Sequence, residues 1–220
     1  MRGITTDFEC VVVGAGVIGL SIARALSMEG FDVVLIEKNK SFGQETSSRN
    51  SGVIHAGIYY NKNFLKTKFC VRGNKLLYKY AKDRKLNFNK CGKLIIAKEK
   101  NEESKLKFIK LNAEQNGVKL IYKNKKELQK LEPSLFCYSA LLSSESGVID
   151  SHELMLNFLI DIENNNGKVV FNSEVKSIIP QNKKITFLMD KKNKFTTKIL
   201  INSTGLNSHI LASKIKNFKK

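Results

Sequence analysis

The sequence predicts an α/β fold: a parallel sheet with a crossover helix, an antiparallel β-meander, and an α+β segment inserted between them. Three observations point there. Two β-branched runs, FECVVV and DVVLIE, flank a helical segment that opens on GAGVIG. A Gly/Ser/Asn-rich stretch and then a different mixture of helices and strands fill the middle of the chain. Three β-rich runs with polar turns between them follow near its end.

Taken in order, residues 8–13 read as a buried parallel strand, because an apolar run without alternation suits a strand covered on both faces. Leu20, Ala23, Leu26 and Ser27 then recur at helical spacing, and Gly30 supplies the C-terminal cap. Residues 32–37 form the second strand, completing a β-α-β unit of about thirty residues. Residues 38–63 are loop-like and 64–83 helical. The insertion continues with a strand at 91–97 and a polar helix at 101–116 that Gly117 ends. A short strand at 119–123 and a helical turn at 125–131, stopped by Pro133, come next. The run 138–144 is placed to pair with 91–97. Asp150 to Glu153 reads as a capping box that opens a helix to Asn164. The meander comprises 168–172 with 174–179, 184–189 and 194–203, turned by PQNKK and DKKNK.

The chain has 220 residues, 42% hydrophobic and 26% charged, enough for a substantial core. No apolar run reaches the roughly 20 residues of a membrane helix, and Asp7 and Glu9 flank the most apolar stretch where a signal peptide would be basic. The net charge is +18, yet only five of the 38 basic residues are arginine and the lysines are spread from Lys38 to Lys220, most of them from Lys62 on. That distribution fits lysine-rich codon usage better than a nucleic-acid footprint, so no nucleic-acid partner is expected. Contact with acidic lipid at the periphery of a membrane is compatible with it. Cys10, Cys70, Cys91 and Cys137 form no C-x-x-C pair and sit near no histidine at metal-ligand spacing. They read as reduced thiols of a cytoplasmic protein, and no metal site is expected.

The chemistry lies in VVVGAGVIG. Gly14, Gly16 and Gly19 fall in G-x-G-x-x-G order between a strand and a helix. Gly14 permits the tight turn, Gly16 admits a pyrophosphate to the backbone, and Gly19 lets helix and strand pack closely. The first helical N–H groups, at Val17 and Ile18, then face the phosphates with the positive end of the helix dipole. Glu37 ends the second strand, 23 residues beyond Gly14, where a carboxylate accepts ribose hydroxyls. It disfavours a 2′-phosphate, although Lys38 stands beside it. The pattern predicts a Rossmann-like FAD/NAD(P)-binding domain. NAD enzymes usually continue with further β-α-β units. This chain departs instead into a long loop and an insertion, which favours FAD.

The motifs NSGVIHAGIYY (50–60), LK-x-K-x-C (65–70), CGKLIIA (91–97), SGVIDSHELMLNF (146–158) and NSTGLNSHILA (202–212) occur in that order along nearly the whole chain. In them the sequence resembles the L-2-hydroxyglutarate dehydrogenase/oxidase family, within the D-amino-acid-oxidase-like FAD oxidoreductases. The resemblance implies a discontinuous FAD-binding domain, residues 1–87 and 147–220, and the first part of a substrate domain, residues 88–146. Members of that family are longer, so the chain is expected to be a C-terminally truncated, N-terminal portion. The implied reaction oxidises a small 2-hydroxy acid, with electrons passing to a quinone or to oxygen.

Site residues follow from the same match. Thr46, Ser47 and Ser48 would meet the pyrophosphate and ribityl chain. Ser47, Ser48, Ser51 and Gly52 are small enough for backbone to lie against a flavin ring, and Asn50 and His55 would face its reactive side. Val175 matches the position whose backbone meets the adenine, and Thr204 and Gly205 the segment below the flavin. Histidine titrates close to neutral pH, so His55 is the candidate to take a hydroxyl proton, with flavin contact or covalent flavin attachment as its other readings. Tyr59, Tyr60, Lys66 and Arg72 are candidate substrate contacts, the cations suiting a dicarboxylate. His152 and His209 read as structural. The rival functions are a relative acting on an amino acid, amine or glycerol 3-phosphate, a NAD enzyme, and an inactive cofactor-binding fragment.

Overall fold

The computed structural model describes residues 5–189 and 193–217. The chain divides into two units. One comprises the residues up to Asn50 and from Ser151 onward, the other Ser51–Asp150.

In the first unit, β1 (Phe8–Val13), α1 (Val17–Met28) and β2 (Val33–Ile36) form the predicted crossover. β1 pairs in parallel with β2. The strands sit where predicted because their residues serve two cores at once. Cys10, Val12, Val33 and Leu35 join Leu20 and Ala23 of α1 in one cluster. Val11, Val13, Val34 and Ile36 face the opposite way, into a cluster with Phe187 and Leu211. Successive side chains of a strand point to opposite faces, so an unbroken apolar run is what a sheet covered on both sides requires.

The second unit begins with β3 (Val53–Ile54), α2 (Leu65–Asp83), β4 (Phe88–Asn89) and β5 (Lys93–Ala97). It continues with α3 (Glu103–Gln115), β6 (Ile121–Asn124), α4 (Lys125–Leu131), β7 (Ser139–Ser143) and β8 (Gly147–Ile149). β5 and β7 pair antiparallel, as predicted, and β6 joins β7 on its other side. Asn124 caps α4 in a reciprocal capping box with Glu127. β3, β8 and β4 make a second three-stranded sheet. These strands are two or three residues long, too short to leave a periodic signature in the sequence.

The chain then returns to the first unit with α5 (Ser151–Asn164), β9 (Lys168–Val170), β10 (Ser177–Pro180), β11 (Ile185–Leu188), β12 (Lys194–Asn202) and α6 (Ser208–Ser213). The large sheet runs β10-β11-β12-β1-β2-β9, parallel from β12 to β9 and antiparallel from β10 to β12. This is the predicted fold class. β10 starts at Ser177 rather than near Glu174, and the Val175 carbonyl bonds the Lys214 ammonium at 2.8 Å instead of a strand. Residues 190–192 of the predicted DKKNK turn lie outside the described residues.

The unit boundary differs from the expected one. Residues 51–87 and 147–150 group by their contacts with residues 88–146. Contacts across the expected boundary accompany this grouping: β4 bonds to β8, and the buried Asn74 of α2 reaches the carbonyl of Glu145 as well as that of His55. Among the described residues, no helix is long and apolar enough to cross a membrane.

Candidate functional site

The G-x-G-x-x-G turn is built as its glycines require. Gly14 has φ +104°, a conformation that L side chains avoid, and a Cβ there would lie 2.7 Å from the Ser203 carbonyl oxygen. A Cβ on Gly19 would lie 1.8 Å from the Gly14 carbonyl oxygen, so only glycine lets α1 begin against the end of β1. Gly16 is the N-cap of α1 and offers no side chain to it. The cap comes from elsewhere: the Val17 N–H donates to Ser47 Oγ at 3.0 Å. Ser47 belongs to a 3-10 turn, Thr46–Ser48.

Helical geometry leaves the N–H groups of Ile18 and Gly19 without intrahelical acceptors. No acidic side chain occupies the first turn, and the Ile18 side chain is 62% exposed. This terminus therefore offers an anion free donors and a positive dipole end, with no competing carboxylate in the turn.

Glu37 stands beside it. It is only 7% exposed. One carboxylate oxygen accepts the Ala15 N–H at 2.7 Å and the other the Asn39 N–H at 2.9 Å. Each oxygen keeps a second lone pair for a ribose hydroxyl. Lys38 is drawn to Glu45, at 2.9 Å, which raises its pKa above the ordinary lysine value.

Thr204 and Gly205 follow β12. Gly205 has φ +57°, and a Cβ there would stand 4.0 Å from Thr46 Oγ1, so the two segments lie close together in this unit. The Thr204 hydroxyl donates to Asn202 Oδ1 at 2.7 Å. Ser203, which the sequence reading passed over inside its own NSTG motif, has its hydroxyl 2.8 Å from the Val13 carbonyl and 3.1 Å from that of Gly14. It ties the phosphate-type turn to β12. The side chain of Asn50 donates to the Ser47 carbonyl, and Ser48 Oγ to that of Glu45. Val175 is buried, and the Lys214 ammonium on its carbonyl also bonds Glu174 at 2.7 Å. Lys176 and Lys214 together hold the Glu174 carboxyl down to about 2.

The remaining candidates lie in the second unit. The His55 side chain is exposed, while its carbonyl accepts from Asn74 Nδ2 at 3.1 Å. Gly52 has φ +65°, and a Cβ on it would lie 2.4 Å from the Ile149 carbonyl oxygen, so its glycine serves the β3–β8 contact. Ser51 is exposed. Tyr59 and Tyr60 carry Lys93 and Lys66 over their rings, at 4.9 and 4.2 Å. Arg72 instead lines an open groove of about 430 Å³ with Lys62, Lys68 and Lys75. Lys66 is not part of that groove. The two cations stand six residues apart on α2, about 120° around the helix, and do not converge.

The chain matches the DAO family, FAD dependent oxidoreductase, over residues 9–219. It is 46% identical over 166 residues to the mitochondrial L-2-hydroxyglutarate dehydrogenase of Arabidopsis thaliana, covering 72% of this chain and 34% of that protein. It is 37% identical to the human mitochondrial L-2-hydroxyglutarate dehydrogenase, covering 79% of this chain and 38% of the other. The chain thus spans well under half the length of these curated relatives. Among solved structures, FAD-bound L-alpha-glycerophosphate oxidase from Mycoplasma pneumoniae superposes with a TM-score of 0.87 at 28% identity, covering 95% of this chain and 57% of that one. The L-proline dehydrogenase of P. horikoshii shares the fold, with a TM-score of 0.83 at 21% identity.

Proposed function

The chain belongs to the DAO family of FAD-dependent oxidoreductases, and from that membership we propose that it oxidises a small L-2-hydroxy acid, L-2-hydroxyglutarate to 2-oxoglutarate. The observation that carries the cofactor half of this reading is the α1 terminus: free N–H groups at Ile18 and Gly19, no acidic residue in the first turn, and the Glu37 carboxylate alongside. The substrate half rests on relatives named for L-2-hydroxyglutarate.

FAD, when bound, supplies the hydride acceptor for C2 of the hydroxy acid. The chain's own part is to hold and to deprotonate. The N–H groups at the start of α1 and the hydroxyls of Thr46–Ser48 would take the pyrophosphate. Glu37 would accept ribose hydroxyls through its unused lone pairs. Gly16, with no side chain, would let a phosphate approach the backbone, while Gly14 and Gly19 let the turn close against Ser203 and the end of β1. His55 would accept the substrate hydroxyl proton, leaving C2 free to lose its hydride, and Tyr59 and Tyr60 would wall the substrate. A quinone or oxygen would serve as the final acceptor.

The experiment is an anaerobic titration. The purified chain is loaded with FAD, desalted, and mixed with L-2-hydroxyglutarate while the flavin band is followed. Bleaching that slows by about 10²–10⁴-fold in His55→Ala supports the reading. Full-rate bleaching in that variant removes His55 as the base. A second reading has its own observation, the 0.87 TM-score to a glycerophosphate oxidase. Bleaching by glycerol 3-phosphate and not by the hydroxy acid would favour it.

A further inference from the structure

We propose that Asn74, Asn112 and Asn116 are positioning residues that hold the segment His55–Tyr60 in register for the reaction, an inference that rests on the proposed role of that segment. Each of the three side-chain amides commits both of its N–H groups to backbone carbonyls. Asn74 Nδ2 donates to His55 at 3.1 Å and to Glu145 at 2.9 Å. Asn112 Nδ2 donates to Ile58 at 2.7 Å and Tyr60 at 3.1 Å. Asn116 Nδ2 donates to Gly57 at 2.9 Å and Tyr60 at 2.8 Å. The carbonyls of His55, Gly57, Ile58 and Tyr60 are all engaged in this way.

The need for such a device follows from the segment's conformation. Residues 55–60 lie outside any strand, so no ladder serves their carbonyls. Yet Ala56 and Ile58 are buried while His55 and Tyr59 are exposed. A slip by one residue in either direction would carry His55 to the place of the buried Ile54 or Ala56 and turn the imidazole inward. Asn112 and Asn116 stand one turn apart on α3 and its cap, and so present their amides on the same side. Asn74, 7% exposed, fixes the first peptide of the segment from α2, where the Cys70 thiol also lies 3.6 Å from the His55 carbonyl. The amide is the side chain suited to the task. It carries two donors on one atom, whereas a serine has one and an ionised aspartate of the same shape has none.

The test uses Asn74→Asp, Asn112→Asp and Asn116→Asp in the FAD-loaded chain, with the exposed Asn101→Asp as the charge control. FAD affinity is expected to stay within about twofold, since the α1 terminus is untouched. Flavin reduction at saturating L-2-hydroxyglutarate is expected to fall on the order of 10- to 100-fold, with KM moving less. The chain has three histidines, so the His55 ring resonances can be assigned by substitution, and they should shift in each variant. A protonated aspartic acid regains one donor, so the rate deficit should narrow as pH falls towards 5. Unchanged His55 resonances together with wild-type reduction rates would overturn the proposal.

If the variants do not fold, the wild-type chain still decides. The side-chain amide protons of the three asparagines should exchange with D2O many-fold more slowly than those of Asn101, and equal exchange would overturn the clamp. Absence of bleaching by L-2-hydroxyglutarate in the wild type would instead strike the functional reading, leaving the exchange and resonance measurements to judge the clamp by themselves.

Discussion

Gly19 is the glycine at which an added Cβ would meet the closest contact among the described residues. A methyl group there would sit 1.8 Å from the Gly14 carbonyl oxygen and 2.6 Å from Ser203 Oγ, contacts that only a backbone shift relieves. Gly19→Ala should therefore cost about 3 kcal/mol or more and abolish FAD retention together, measured by denaturant melts and by absorbance after desalting. Tyr78 shows the opposite case. Its hydroxyl is buried and has no hydrogen-bond partner among the described residues, while its ring packs edge-on against Phe88 at 5.7 Å. Burial, with Glu145 and Cys91 nearby, pushes the phenol above its usual pKa. Tyr78→Phe removes a desolvated polar group and keeps the ring. The variant should gain about 1 kcal/mol, and a thermal melt below that of the wild type would contradict this. Gly14, Gly16 and Gly19 were legible in the sequence because their spacing is local. Ser203 and Tyr78 were not, since a serine after a strand and a tyrosine in a helix look ordinary until their neighbours are known.

Between elements, α1 and α5 cover the same face of the large sheet, and Arg24 Nε of α1 bonds Asp161 of α5 at 2.5 Å. The Asp161 side chain is almost wholly buried. Removing Arg24 leaves that buried carboxylate without this guanidinium, so Arg24→Met should lose about 3 kcal/mol in a urea melt, more than Asp161→Ala, whose remaining guanidinium is partly exposed to water. On the other side, Glu174 joins the start of β10 to α6 through Lys176 and Lys214. Its folded pKa of about 2 lies below the ordinary carboxyl value of 4.5. The triad thus stabilises the fold fully above pH 4.5 and loses that contribution as pH falls towards 2. Glu174→Gln should flatten the acid limb of the stability profile in that window and leave the neutral plateau slightly lower. Most elements were legible because their signals are periodic or terminal: the apolar runs of β1 and β2, Gly30 and Gly117 after helices, Pro133 after α4. The strands β3, β4 and β8 escaped because two or three residues carry no period, and with them went the boundary at Ser51.

For the molecule as a whole, cofactor and stability should be coupled. A ligand that binds only the folded first unit stabilises it by mass action, about 2.7 kcal/mol at a hundredfold excess over Kd. Adding FAD should therefore raise the melting transition of that unit progressively with concentration, and a transition indifferent to FAD would contradict cofactor binding by this chain. The net charge of +18 bears on none of this, since it describes solubility and encounter rather than fold. The sequence by itself determined the cofactor half of the protein. A strand, a glycine turn, a helix and a terminal acid are contiguous, so the forces that shape them act between residues near in sequence. Only the tertiary structure decided the rest: that residues 51–87 pack with the insertion, and that three asparagines from two helices bond the carbonyls of the histidine segment. Those outcomes depend on carbonyls as many as 71 positions from their donors, as with Asn74 and Glu145, and no local pattern announces which distant carbonyl an amide will find.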